Sequence, residues 1–339
     1  MPSVPETRIG AGAMPLEEAV RRYQACYDAL AGQVARTVVG QEQVVDLLLA
    51  SLFAGGHVLL EGAPGLGKTL LVRTLASALH LKFSRVQCTP DLMPADIIGT
   101  NVLIEDPSGG QRMEFERGPI FANIVLADEV NRATPKSQSA FLEAMEEGRV
   151  TVFGTDHVLD QPFLVMATQN PIEMEGTYPL PEAQLDRFLF KLRFNYPDLE
   201  GLSRIVDQTT AEVTPVIETQ FGASDVLAMR TLVRQVKLTD PVKRYALRVV
   251  LASQPESGEA GSAVRQYVRY GAGPRAAQAI ILGAKALALA EGRYNVAYED
   301  VRRVVPAALV HRISLNFEGE IRGEGVDAIV RQILDEVPE

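Results

Sequence analysis

Residues Gly62-Ala63-Pro64-Gly65-Leu66-Gly67-Lys68-Thr69 fit the spacing G-x-x-x-x-G-K-[ST], and the apolar run Val58-Leu59-Leu60 stands directly before them. This pattern suits phosphate chemistry. The glycines let backbone N–H groups turn inward around phosphate oxygens, Lys68 brings a positive charge to the outer phosphates, and Thr69 offers a hydroxyl to magnesium. A helix expected over Leu70 to Leu79 aims the positive end of its dipole at the same point. The competing reading is a Gly-rich turn with no ligand, and a strand before the turn with a helix after it argues against that.

Four further groups have types and positions that could join such chemistry. Ile124-Val125-Leu126-Ala127 is a continuous apolar run of the kind a strand covered on both faces requires, and Asp128-Glu129 follows at its carboxyl end. A magnesium-bound nucleotide needs a carboxylate near the metal, and attack by water needs a group to orient it; Asp128 suits the first role and Glu129 the second. The run Leu164 to Thr168 leads to Gln169-Asn170-Pro171, where Asn170 either meets a terminal phosphate or simply starts a turn. Arg187, in Leu185-Asp186-Arg187-Phe188, is either an aimed guanidinium, worth about 10³ to 10⁵ in phosphoryl-transfer rate, or a surface partner of Asp186. Gly273-Pro274-Arg275 puts a cation in the first turn of a helix, where the dipole already favours negative charge. A nearby anion resolves that conflict; an arginine stretching into water is the alternative.

The surrounding pattern supplies the frame for these groups. Apolar runs at Phe83 to Gln87, Ile124 to Ala127, Phe163 to Thr168 and Phe188 to Phe194 alternate with helical stretches, which predicts a parallel sheet with helices on its faces. Helices are expected over Leu16 to Ala35, Gln41 to Ala54, and Pro135 to Glu147, the last with Thr134 as cap, Pro135 at its first position and Gly148 as its stop. Asn101 to Phe115, turning at Asp106-Pro107-Ser108-Gly109-Gly110, and Val150 to Leu159, turning at Gly154, read as two hairpins. Beyond Tyr196-Pro197-Asp198 helical periodicity dominates, most clearly over Pro274 to Glu291. The expected organisation is a loose tail over 1–15, an α/β core over 16–197 with two hairpin inserts, and a helical domain over 198–339.

Composition narrows the function classes. The chain has 339 residues, 47% of them hydrophobic, enough for about two domains with real cores. Its longest stretch without Asp, Glu, Lys or Arg, Leu47 to Leu60, is shorter than the ~20 apolar residues a bilayer span needs. Two cysteines, Cys26 and Cys88, and no charged start before an apolar core lead to the expectation of a cytoplasmic protein without disulfides. A net charge of −10 argues against a whole-chain footprint for nucleic acid. The histidines, His57, His80, His157 and His311, lack metal-ligand spacing.

In combination these pieces resemble the AAA+ ATPases and, within them, the MoxR family. The residues that carry the likeness are Gln87-Cys88-Thr89-Pro90-Asp91-Leu92-Met93-Pro94-Ala95-Asp96, then Asp128-Glu129-Val130-Asn131-Arg132-Ala133, then Ala167-Thr168-Gln169-Asn170-Pro171, the stretch Tyr178-Pro179-Leu180-Pro181-Glu182-Ala183-Gln184-Leu185-Asp186-Arg187-Phe188, and Gly271-Ala272-Gly273-Pro274-Arg275. The likeness is dense from about Val38 to Phe194 and thinner beyond. It implies an α/β P-loop AAA+ fold, an αβα sandwich around a central parallel sheet followed by a smaller all-helical lid domain. It also implies ATP with Mg2+, and a homo-oligomeric ring, usually a hexamer, with nucleotide at the subunit boundaries. Carried over by position, Gly62 to Leu70 hold the phosphates through Lys68 and the metal through Thr69, Asp128 assists the metal and Glu129 activates water. Asn170 matches the first sensor, Arg275 the second, and Arg187 the finger that enters a neighbour's site. Val39-Gly40-Gln41 resembles the segment against adenine, and both hairpins match inserts used to grip or couple to clients. By the same resemblance the activity is chaperone-like maturation of, or metal insertion into, client protein complexes, with a von Willebrand factor A domain partner and no membrane insertion. Two departures stand out: Cys88 where an aromatic is common, and Gly273 where serine is common. A nucleic-acid motor or clamp-loader subunit shares the same parts and is the main alternative; a small-molecule kinase and a non-hydrolysing nucleotide sensor are the others.

Overall fold

The computed structural model describes residues 15–105, 111–171, 176–210, 217–218 and 221–339. The tail over 1–14, the first hairpin's turn at 106–110 and residues 172–175 lie outside the described residues. In chain order the first half carries α1 (Leu16–Ala35), α2 (Glu42–Ala54), β1 (Val58–Glu61), α3 (Lys68–Ala78), β2 (Phe83–Gln87), α4 (Pro94–Ile98), β3 (Gly99–Glu105), β4 (Gln111–Arg117), β5 (Ile124–Asp128) and α5 (Pro135–Glu147). There follow β6 (Arg149–Val152), β7 (Thr155–Val158), β8 (Leu164–Gln169), α6 (Glu182–Leu185), β9 (Phe190–Arg193), α7 (Leu199–Thr210), α8 (Ala223–Gln235) and α9 (Asp240–Ala252). The chain ends with α10 (Ser262–Tyr267), β10 (Val268–Tyr270), α11 (Pro274–Ala290), α12 (Tyr298–Leu309), β11 (Ser314–Leu315), α13 (Phe317–Arg322) and α14 (Val326–Glu336).

The described residues fall into two compact units, one within 36–44 and 55–223, the other within 15–35, 45–54 and 224–339. The first is the α/β unit. Its five strands are all parallel in the order β2-β5-β8-β1-β9. That order explains the sequence pattern: β5 is buried at every position, and β8 and β1 at all but their last, because each lies between two neighbours under helices. The edge strand β2 buries only Val86 outright. With Gln87 level with Asp128 and Glu61 level with Gln169, the carboxyl ends of four strands open at one rim of the sheet.

Both inserts are hairpins. In the first, β3 and β4 pair from Gly99 with Arg117 to Glu105 with Gln111. Gly99 has φ 95°, and a Cβ there would lie 2.1 Å from the Glu116 carbonyl oxygen, so only glycine fits where the hairpin leaves α4. In the second, Val152 pairs with Thr155 across a two-residue turn in which Phe153 and Gly154 both have positive φ, 48° and 79°, the twist a tight hairpin requires. The hairpins meet. Phe115 on β4 stacks on His157 of β7 with centroids 4.1 Å apart, Phe121 stands edge-on to both, and the Arg117 guanidinium lies 5.1 Å from the Phe121 ring centre.

The second unit is helical around α11, whose stripe Ala276, Ala279, Ile280, Gly283, Ala284 and Leu287 is buried. Against it packs α1, with the Tyr23 hydroxyl donating to the Ala286 carbonyl (3.1 Å) and its ring 5.0 Å from that of Phe53. Asp300 is fully buried, accepts from both terminal nitrogens of Arg293 (2.8 and 2.6 Å) and caps α12 through the Ala297 N–H. Helices α1 and most of α2 therefore group with this unit, and the seam falls at 223/224 rather than near 197. Periodicity marks an apolar face such as Val20, Tyr23, Tyr27 and Leu30 but does not say what covers it. The unit also carries a short antiparallel ribbon, β10 with β11, too brief to leave a pattern in the chain.

Candidate active site

A cleft of about 400 Å³ opens at the carboxyl ends of the strands, lined by Pro64 to Leu70 with Arg85, Asp128, Glu129, Thr168, Gln169 and Asn170. The loop after β1 is shaped by Gly65 and Gly67, at φ 82° and 84°, where any side chain would be strained. Because Gly67 is the left-handed N-cap, α3 starts at Lys68, two residues earlier than its apolar pattern suggests. The free N–H groups of its first turn and the positive end of its dipole consequently point into the cleft. The Lys68 ammonium donates to the carbonyls of Gly62 (2.6 Å) and Ala63 (2.7 Å), so it lies across the mouth of the loop. Burial pushes its pKa down, against the opposing pull of Asp128 and Glu129.

The two carboxylates at the end of β5 are held differently. Asp128 is buried: Oδ1 accepts from the Thr168 hydroxyl (2.6 Å), and Oδ2 accepts from Nε (2.9 Å) and Nη2 (2.6 Å) of Arg85 and faces the Thr69 hydroxyl at 3.5 Å. Glu129 follows in the left-handed region, φ 56° and ψ 50°, a strained position for a residue with a side chain. Its N–H donates to the Thr168 hydroxyl (2.8 Å), and its Oε2 is met by Gln87 Nε2 (3.2 Å) and Arg132 Nε (3.1 Å). Thr168 thus ties both acids to β8. Hydroxyl and carboxylate oxygens on one wall are the hard donors magnesium prefers, so Thr69 and Asp128 fit that ion. Among the described residues no group of three or more His, Cys, Asp or Glu could hold a metal by itself.

The other candidates are distributed as follows. Asn170 is buried on the cleft wall beyond β8. Arg187, after α6, is not among the lining residues; its Nη1 donates to the Leu142 carbonyl (2.8 Å) and pairs with Glu146 of α5 (2.6 Å), while its Nε is buried with no hydrogen-bond partner among the described residues. Val39 and Gln41 are buried and Gly40 has φ 73°; they belong to the α/β unit, where Gln41 donates to the Asn195 carbonyl (2.8 Å), and they do not line the cleft. Arg275 is exposed in the first turn of α11 in the helical unit. Thr134 occupies the N-cap position of α5, but its side chain makes no capping bond to the backbone. Of the residues that hold the acids, Arg85 lies outside every motif of the sequence, while Gln87 and Arg132 stand in the stretches that carry the likeness without a role assigned to them.

A profile described as the ATPase family associated with various cellular activities (AAA) matches residues 57–190, and one for the AAA lid domain matches 260–333. The chain is 43% identical to the uncharacterized protein YeaC of Bacillus subtilis, over 90% of this chain and 92% of that one. It is 42% identical to Chaperone MoxR1 of Mycobacterium tuberculosis, over 90% of this chain and 80% of that one. A crystal structure of a provisionally assigned ATPase from Cytophaga hutchinsonii superposes with a TM-score of 0.87 at 40% identity, covering 95% of this chain and 97% of that one.

Proposed function

This chain belongs to the MoxR family of AAA+ ATPases, and from that premise we propose that it hydrolyses Mg-ATP at the boundary between two copies of itself and uses the cycle to remodel client proteins. The observation that carries the reading is the gathering, in one cleft, of a glycine loop with Lys68, a hydroxyl and carboxylate on one wall, and a second carboxylate beside them. The loop Gly62 to Leu70 binds the phosphates through Lys68 and the backbone N–H groups of its residues other than Pro64. Thr69 and Asp128 hold the magnesium, which when bound neutralises phosphate charge. Glu129, aimed by its strained backbone and the Thr168 bond, orients and deprotonates the attacking water, and Asn170 contacts the terminal phosphate. Val39, Gly40 and Gln41 flank the base.

Arg187 serves the neighbouring copy. What supports this is that it does not line its own cleft and is held in place by the Leu142 carbonyl and Glu146 in the carboxyl-terminal half of α5. Arg275 supplies the second sensor from the helical unit. The ring, hexameric in the family, acts in the cytoplasm on a client complex, with a von Willebrand factor A domain protein as partner and metal insertion as one outcome.

Mixing variants tests the shared site. Glu129→Gln subunits lack the base but keep Arg187, and Arg187→Ala subunits keep the base; each alone is expected to lose at least ~10²-fold in turnover. Mixed, they are expected to regain activity. No recovery, together with a monomeric mass in ATP, would reject the shared site.

A further inference from the structure

We propose that Arg85 is a built-in counter-ion of Asp128, occupying the carboxylate oxygen that a divalent cation must share, and so sets the cation concentration at which nucleotide is held. This rests on the nucleotide reading of the cleft given above.

The geometry leaves Asp128 little choice. Its Oδ1 is committed to the Thr168 hydroxyl inside the sheet, so Oδ2 is the oxygen that faces Thr69 and the cleft. That same oxygen accepts two N–H groups from Arg85. A guanidinium keeps its charge at any working pH, so the pair is not relieved by titration; Arg85 must yield Oδ2, wholly or in part, before a cation is held there. Arg85 is free to do this. It stands on β2, the edge strand, its side chain is 46% exposed, and it lines the cleft. Its Nη2 also donates to Gln87 Oε1 (2.8 Å), the residue whose amide reaches Glu129, so a guanidinium leaving Oδ2 keeps an acceptor on its own strand. Arg85 acts through Asp128 and is a positioning residue.

The test follows binding rather than turnover. A fluorescent ATP analogue is titrated onto the full chain at graded free Mg2+, for wild type, Arg85→Gln and Arg85→Lys, with Thr69→Ala as the variant that removes a cation donor. Arg85→Gln is expected to reach half-saturation at about threefold lower Mg2+, the scale of a part-exposed ion pair. Arg85→Lys keeps the charge and is expected to stay near wild type, whereas Thr69→Ala moves the midpoint upward. Damage to the cleft would weaken binding, so a lowered midpoint separates competition from a merely structural role. An unchanged or raised midpoint in Arg85→Gln overturns the proposal, and Arg85→Met, which keeps the apolar stem, gives the same reading if the glutamine variant does not fold. Absence of any Mg2+-dependent binding by the wild-type chain would instead remove the nucleotide reading itself.

Discussion

Thr168→Val isolates the bond that organises both acids. Thr168 is 1% exposed, and its hydroxyl donates to Asp128 Oδ1 and accepts from the Glu129 N–H. Valine fills the same volume, so no cavity opens and the loss is confined to polar groups. A hydrogen bond to a charged acceptor is worth about 1.5–3 kcal/mol, and an orphaned buried N–H costs about 1–3 kcal/mol. Asp128 keeps Arg85 on its other oxygen, which places the first contribution at the low end, about 1.5 kcal/mol, for a sum of about 2.5–4.5 kcal/mol. Turnover should suffer more than stability, because the freed Glu129 backbone can relax from φ 56° to a negative angle and carry its carboxylate out of the cleft. Urea unfolding followed by circular dichroism, with ATP turnover in parallel, should show this loss for valine and near-normal behaviour for Thr168→Ser. A valine variant within about 0.5 kcal/mol of wild type, or a serine variant as damaged as valine, would refute the reasoning.

In the helical unit, Asp300→Ala removes a fully buried acid that takes two bonds from Arg293 and caps α12; a loss of about 3–5 kcal/mol is expected, measured by the same urea titration, and an unshifted midpoint would contradict it. Burial pushes the thiols of Cys26 and Cys88 up to about 12, so the thiolate forms only as pH rises far above neutrality. Neither cysteine should react with a disulfide reagent at pH 8 until urea is added, and rapid labelling of the native chain would show one of them to be accessible.

The glycine loop, the acids at the end of β5 and the apolar central strands were legible because each is a local pattern: spacing for the loop, two-sided burial for β1, β5 and β8. Arg85, and the role of Gln87, were not, since Phe83-Ser84-Arg85-Val86-Gln87 reads as an ordinary edge strand until pairing with β5 sets both polar residues beside Asp128 and Glu129. Thr168 looked like one more strand residue for the same reason. The apolar stripe starts α3 at Leu70, whereas the left-handed Gly67 begins that helix at Lys68. Helix α1 carries an amphipathic face whose partner, α11, lies more than two hundred residues away, a contact that only tertiary structure reveals.

The ring stack of Phe115 on His157 gives the two inserts a common fate. Shifting one hairpin past the other means parting these rings, a cost of about 0.5–1.5 kcal/mol before any strand is disturbed. The stack therefore favours shared displacement of two hairpins that leave the α/β unit from different helices, α4 and α5. Replacing the sequence of either hairpin with a foreign one would leave the other standing without its brace.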